Sequence, residues 1–270
     1  MSYHPYSLFL LCFNGQSNLD DFFSSLNVYS NLPQKIYLCD NGSDIPITLD
    51  DISCFSHLVE IIRLDTNRGI ANAFNYCIKS VIKDEYIIWF NDDLIHIDSS
   101  LPDKLIGNLI TDNAVLCDPI VYSYPGFNVW SAGAYTLPLL NLPRFNRLRP
   151  LDSVFSRLSA KLNVGCVLAF RRSCVVNLGC LSTKFYYGYE DLDLSLRAIK
   201  NGFQVNTLHN TYILHKVSST TRKDKDYHSI SFRSLITFQN LSTAPNSIKS
   251  IRIFVLRLLF FFKRISLRFS

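Results

Sequence analysis

Four short apolar runs, Leu8 to Phe13, Ile36 to Cys39, Leu58 to Leu64 and Tyr86 to Phe90, alternate with stretches that suit helices, and this alternation restricts the possible folds most. A strand with both faces buried reads as a nearly continuous apolar run, and successive strands of that kind need crossover connections. The pattern predicts an α/β fold with a mostly parallel central sheet flanked by helices. Three of the runs stop at polar turns: Asn14-Gly15, Asp40-Asn41-Gly42-Ser43-Asp44 and Asn91-Asp92-Asp93. In a parallel sheet such turns share one rim, where helix N-termini aim free N–H groups and ligands collect. Ala114 to Val121 and Val164 to Phe170 also read as strands. The Pro-, Gly- and aromatic-rich region from about Thr111 to Pro150 reads as loops and short strands that complete a pocket.

With 48% hydrophobic and 18% charged residues, the 270-residue chain has enough apolar surface for a large core and is not disordered. The net charge of +5 is matched by Arg252, Arg257, Lys263, Arg264 and Arg268, which stand in the last twenty residues without an acid. The remainder is near neutral, which argues against nucleic acid as a partner. The cysteines are scattered without a CxxC pair, so reduced core thiols are expected rather than a metal cluster or disulfide framework. At the N-terminus, MSYHPYSLFLLCFNG lacks a basic region before its apolar run and reads as a first strand, not a signal peptide. The expected organisation is a catalytic domain over residues 1–240 and a basic amphipathic tail over 241–270. Arginines interrupt the tail too often for it to span a bilayer, but Ile251, Phe254, Val255, Leu258, Phe262, Ile265 and Phe269 share one side of a helical wheel. Such a helix suits an anionic membrane surface; the alternative is a helix packed on the domain.

Gly188 to Ser219 gathers Glu190, Asp191 and Asp193 beside Tyr186, Tyr187 and Tyr189, then returns His215 after an extended segment. The alternation in Asp191-Leu-Asp-Leu-Ser-Leu-Arg would also fit a strand. Leu192, Leu196 and Ile199 share a helical face, however, and Asn201-Gly202 is a helix stop, which predicts a helix with Leu194 against the sheet. Acids in a first helical turn can simply favour the dipole. A turn of Asn and Asp after a strand is ordinary, and a lone histidine is usually structural.

In order over about residues 7–220, the segments LCFNG, LCDNGSD, NRGIANAFN, the WFNDD turn and GYEDLDLSLRAIKNG with HKVSS closely resemble family 2 of the glycosyltransferases, which have the GT-A (Rossmann-like) fold. The resemblance implies that Asp40 hydrogen-bonds a pyrimidine base, Phe13 stacks on it and Arg68 touches the nucleotide. It implies further that Asp93 binds a divalent metal, Asp191 is the general base and His215 approaches metal and diphosphate. Asn91 stands where the family motif has its first aspartate; the neighbouring Asp92 is counted among the donor-binding residues and could compensate.

By this resemblance the chain is expected to be a metal-dependent (Mg²⁺ or Mn²⁺), inverting glycosyltransferase that uses a UDP- or dTDP-sugar. Its expected acceptor is a hydroxyl of a lipid-linked glycan in surface polysaccharide synthesis, such as O-antigen, as with bacterial rhamnosyl- or galactofuranosyltransferases. A cytoplasmic protein on the inner face of the plasma membrane is implied. Asn128 to Gly133 and Asn163 to Cys166 are expected to line the sugar and acceptor pocket. The competing reading is a non-catalytic nucleotide-sugar or glycan-binding module of the same fold. A nucleotidyltransferase would need a glycine-rich basic loop after the first strand, which FNGQSNLDD lacks.

Overall fold

The computed structural model describes residues 4–137, 139–150, 152, 161–185, 187–216, 227–242 and 244–266. The predicted strands form β1 (Ser7–Cys12), β2 (Lys35–Asp40), β3 (Val59–Arg63) and β4 (Tyr86–Asn91), all mutually parallel in the order β3-β2-β1-β4. Their side chains alternate between two cores. Leu8, Leu10, Ile88 and Phe90 face α1 (Gln16–Ser25) and α3 (Leu101–Thr111), while Phe9, Ile87 and Trp89 face α2 (Gly69–Tyr76). Burial on both faces is why β1 and β4 are so apolar, whereas the edge strand β3 carries Glu60 and Arg63. The stretch between β3 and β4 that suits a helix is α2 continued by a π-helical turn, Cys77–Val81.

Beyond β4 the sheet becomes mixed. The two-residue β5 (Leu94–Ile95) follows β4 directly, and β6 (Ala114–Ser123) follows α3. A hairpin region supplies β7 (Val129–Ser131), β8 (Ala134–Leu137) and β9 (Leu142–Phe145), and β10 (Lys161–Leu162) joins β8 and β9 in a separate antiparallel sheet. β11 (Val167–Arg171) runs antiparallel between β4 and β6, and β12 (Gln204–His215) is parallel to β6 and antiparallel to β5. The reversal of β11 has a functional consequence. Its preceding residues, Asn163 to Cys166, arrive at the same rim as the carboxyl ends of β4 and β6, and Asn91 N–H donates to Cys166 O at 3.0 Å.

α4 (Arg172–Asn177) follows β11, and α5 (Glu190–Lys200) is the helix predicted from the acidic segment. Leu194 and Ala198 of α5 join the α2-side core, whereas Leu192 joins the other, so the helix wedges between the two clusters. α6 (Tyr227–Leu241) and α7 (Asn246–Ser266) close the chain. Among the described residues, no helix is long and apolar enough to cross a membrane.

Candidate functional site

At the corner where β1, β2 and β3 end, two loops are tied together. Asn14, in a left-handed conformation (φ 53°), donates its backbone N–H to Ser43 Oγ at 2.9 Å. Its side chain donates to Asp44 Oδ2 and accepts from Asp44 N–H. Asp40 is fully buried; Oδ1 accepts from Ser43 N–H (2.9 Å), and Oδ2 accepts from Ile47 N–H (3.0 Å) and the Arg63 guanidinium. Burial alone would raise this carboxyl, but these bonds outweigh it and hold its pKa below the usual value. Gly42 has φ +78°, and a Cβ there would lie 2.2 Å from the Thr66 carbonyl carbon, so only glycine allows the turn to pack on the next loop. Asn41 joins that loop too, accepting from Arg68 N–H at 3.0 Å. Arg68 is the residue before α2, its guanidinium 5.4 Å from the centre of the Tyr76 ring. Phe13 stands at the end of β1, 41% exposed. Phe13, Asp40 and Arg68 therefore belong to one corner.

The second corner forms after β4. His215 Nε2 lies 3.1 Å from Asp93 Oδ2, because β12 pairs His215 with Leu94, the residue after Asp93. Asp93 Oδ1 and His215 Nδ1 are buried and have no hydrogen-bond partner among the described residues. The Trp130 ring meets the His215 ring edge-on, with centroids 4.7 Å apart, and Trp130 in turn packs on Phe145. No third His, Cys, Asp or Glu joins the pair as a ligand group among the described residues. One carboxylate with an unused oxygen and one imidazole fit a divalent cation whose remaining positions are filled by phosphate oxygens and water. Asp92 faces elsewhere: its Oδ2 accepts from the Cys12 thiol at 3.2 Å and approaches Gly15 so closely that a Cβ there would lie 1.6 Å away. Burial and then the charge of Asp93 push the Asp92 carboxyl up to about 6. Lys216 forms an ion pair with Asp21, while Ser218, Ser219, Thr220 and Tyr186 lie outside the described residues.

The third element is the N-terminus of α5. Gly188 (φ +77°) and Tyr189 (φ 77°) turn the chain sharply into the helix, and Tyr189 packs on Phe238 of α6 with ring centroids 5.7 Å apart. Asp191 is half-buried; its Oδ1 accepts from Leu192 N–H (2.8 Å) and its Oδ2 from Gly165 N–H (2.6 Å). Desolvation raises its pKa in spite of these bonds. The other two acids do different work. Asp193 pairs with Arg197 at 2.8 Å, and Arg197 donates to the carbonyls of Leu178 and Cys180, tying α5 to the turn after α4. Glu190 is buried with Oε2 unpartnered among the described residues, and burial, followed by the charge of Asp191, pushes it up to about 8.

The sequence profile described as "Glycosyl transferase family 2" matches residues 7–177, which holds β1 through α4, the Asp40 corner and Asp93, while Asp191 and His215 lie beyond it. The chain belongs to glycosyltransferase family 2. No curated protein matches it. Among solved structures this glycosyltransferase is similar to a mannosyltransferase, PcManGT from Pyrobaculum calidifontis, in complex with GDP-Man and Mn²⁺. The TM-score is 0.63 at 15% identity, over 93% of this chain and 69% of that one. It is also similar to S. aureus TarS 1-349 (0.59, 14%, 93% and 69%) and to GalNAc-T7 with UDP, GalNAc and Mn²⁺ (0.62, 16%, 78% and 43%). These likenesses establish the GT-A fold.

Of the two segments expected to line the pocket, one sets Trp130 against His215 and the other gives the Gly165 N–H to Asp191. Sequence reasoning passed over Arg63, which neutralises Asp40, and Asp118, a buried carboxylate in β6 that binds the Asn163–Gly165 segment. The one signal for Asp118 was a lone acid inside the apolar run AVLCDPIV.

Proposed function

We propose that this family 2 enzyme is an inverting, divalent-metal-dependent glycosyltransferase that moves a sugar from a UDP- or dTDP-sugar to a hydroxyl of a lipid-linked glycan. The observation that carries this reading is the convergence of Asp191 and the Asp93–His215 pair on the rim where Asp40 and Arg68 end their strand and loop. At the β1–β3 corner, Phe13 offers an exposed ring for the base, Arg68 a cation for the nucleotide, and Asp40 the shape of the pocket. A direct bond from Asp40 to the base would compete with Ser43, Ile47 and Arg63, which already occupy its oxygens. Asp92 braces the β1–α1 turn through Cys12 and so supports the diphosphate end of the site.

In the reaction, the acceptor oxygen attacks C1 as its proton passes to Asp191, and the C1–O bond breaks with its electron pair leaving on the diphosphate. The raised pKa of Asp191 makes it a better proton acceptor than an exposed aspartate, while the Gly165 N–H fixes its orientation. A divalent cation on Asp93 and His215 would offset the charge that builds on the leaving diphosphate. One displacement inverts the anomeric centre. The Mn²⁺ in the PcManGT and GalNAc-T7 complexes, and the UDP-GlcNAc in a TarS complex, support cation and nucleotide-sugar use. A rhamnosyl or galactofuranosyl donor and a place in O-antigen assembly at the inner face of the plasma membrane are part of the same proposal.

The membrane part rests on α7. Leu256 is buried against the body and the Phe260 ring stacks on Phe232 of α6 at 4.1 Å, yet Ile251, Phe254, Leu258 and Phe261 are exposed along the opposite side. The helix thus packs on the domain with one face and offers an apolar stripe with the other, among the tail's arginines and lysines. That combination suits an anionic lipid surface. The test of the catalytic reading is thermal shift with UDP-, dTDP- and GDP-sugars, with and without Mn²⁺. Stabilisation by UDP- or dTDP-sugars that needs Mn²⁺ and is lost in Asp93→Ala is expected. Stabilisation by GDP-sugars alone, or equally without metal, would overturn the donor and cation assignments.

A further inference from the structure

The segment Asn163-Val164-Gly165 is held from two sides. From β6 comes Asp118, 1% exposed: Oδ1 accepts from Asn163 Nδ2 (2.6 Å), Oδ2 accepts from Val164 N–H (2.9 Å), and the Thr207 hydroxyl also bonds it. From α5 comes Ser195, whose Oγ accepts from Asn163 N–H (3.1 Å) and donates to Asp191 O (3.1 Å). Asp191 itself takes the Gly165 N–H at 2.6 Å. Gly165 comes so near that a Cβ would lie 2.9 Å from Asp191 Cβ. The second N–H of the Asn163 amide donates to Asn206 O at 2.7 Å, so this side chain spans β6 and β12.

A buried carboxylate is costly, and well-packed apolar residues of similar volume usually serve stability as well or better. The partners of Asp118 named above are neutral donors, and two of them lie within the three residues that grip Asp191. We propose that Asp118 is a positioning residue for glycosyl transfer: through Asn163 and Val164 it fixes the Gly165 N–H and hence the direction in which Asp191 faces the acceptor hydroxyl. This rests on Asp191 being the base. An isosteric amide at 118 would turn an N–H₂ toward one of two N–H donors, pushing the segment away. A displacement near 1 Å at a reacting group costs on the order of 10²-fold in rate.

The test compares Asp118→Asn and Asn163→Ala with the unaltered enzyme in transfer kinetics, thermal unfolding and a cycle with Asp191→Asn. Expected are a fall in kcat of about tenfold or more, a donor KM within about twofold, and cooperative unfolding. In the Asp191→Asn background, adding Asp118→Asn should cost nothing further, because the two act as one unit. An unchanged kcat in either variant overturns the proposal. So does a parallel loss of kcat, donor KM and unfolding temperature, or failure of both variants to fold, since each marks a purely structural carboxylate. Full transfer by Asp191→Asn would instead remove the base reading itself, whereas a silent Asp118→Asn beside an inactive Asp191→Asn removes only this inference.

Discussion

Asp191 and Glu190 are adjacent in sequence but solve opposite problems. Asp191 has two backbone N–H donors to support a charge, and Glu190 has a buried oxygen without a partner among the described residues. With Asp191 as the proposed base, Asp191→Asn keeps its shape but cannot take the proton, so kcat should fall by about 10²–10⁴-fold with donor affinity nearly unchanged, as single-turnover assays and calorimetry would read. Because desolvation raises the Asp191 pKa in the free protein, the acid limb of kcat/KM should lie above the ordinary aspartate value. A limb at or below that value would count against this base. Glu190 leads to a prediction about stability. Its folded pKa of about 8 exceeds the ordinary glutamate value of 4.5, so between those pH values the native state keeps a proton that the unfolded chain has released. Stability from this group is therefore greatest below pH 4.5, declines as pH rises to about 8, and is constant beyond. Glu190→Gln, neutral throughout, should raise the unfolding temperature at pH 8 relative to the unaltered protein more than at pH 4.5. Equal shifts at both pH values would show that Glu190 is not buried in its protonated form.

The elements differ in how plainly they could be read. β1, β2 and β4 were legible because burial on both faces leaves a nearly unbroken apolar run, the edge strand β3 through Ile61 and Ile62 in spite of Glu60 and Arg63, and α5 because Leu192, Leu196 and Ile199 share a face while Asn201 stops the helix. The reversal of β11 was not legible, since a strand buried on both faces has the same composition in either direction. The pairing partner decides it, and that is not local. β7 to β10 are two to four residues long and take their order from pairing rather than from periodicity. For α7 the helical wheel put Ile251, Phe254 and Leu258 on one side, where all three are exposed, but did not say which side docks; the side chains of Phe262, Ile265 and Phe269 lie outside the described residues. The structure docks the side bearing Leu256 and leaves Phe254 and Leu258 outward. These two sides should separate by experiment. Phe254→Ser with Leu258→Ser should weaken sedimentation with anionic vesicles several-fold and leave the unfolding temperature nearly unchanged. Leu256→Ala should cost about 2–4 kcal/mol in denaturant unfolding, as a buried truncation does. Vesicle binding that survives the outward pair would end the membrane reading of this helix.

Over the whole molecule, the tail and the site are joined by contact, and this link is invisible in the sequence because its parts are far apart in the chain. α7 stacks on α6 through Phe260 and Phe232, and α6 holds the turn before Asp191 through Ser234, whose hydroxyl donates to Tyr187 O at 2.8 Å, and through Phe238 against Tyr189. On the other side, α6 and α7 grip the β8–β9 turn: Gln239 donates to Asn141 O and Arg252 to Leu139 O. Asp40 and Asp93 stood out because each sits in a polar turn that ends an apolar run, whereas the pairing of Asp93 with His215, the Asp118 clamp and this brace arise only from packing. If α7 rests on lipid, it confines the enzyme to the surface that holds the acceptor, and the gain is one of effective concentration rather than chemistry. The Phe254→Ser, Leu258→Ser enzyme should therefore transfer to a vesicle-embedded acceptor at least several-fold more slowly at low enzyme concentration. Its rate on a short, water-soluble acceptor should match that of the unaltered protein. Equal losses on both acceptors would mean that α7 acts through the α6 brace on the Asp191 turn, and equal rates on both would mean that the tail contributes nothing to acceptor capture.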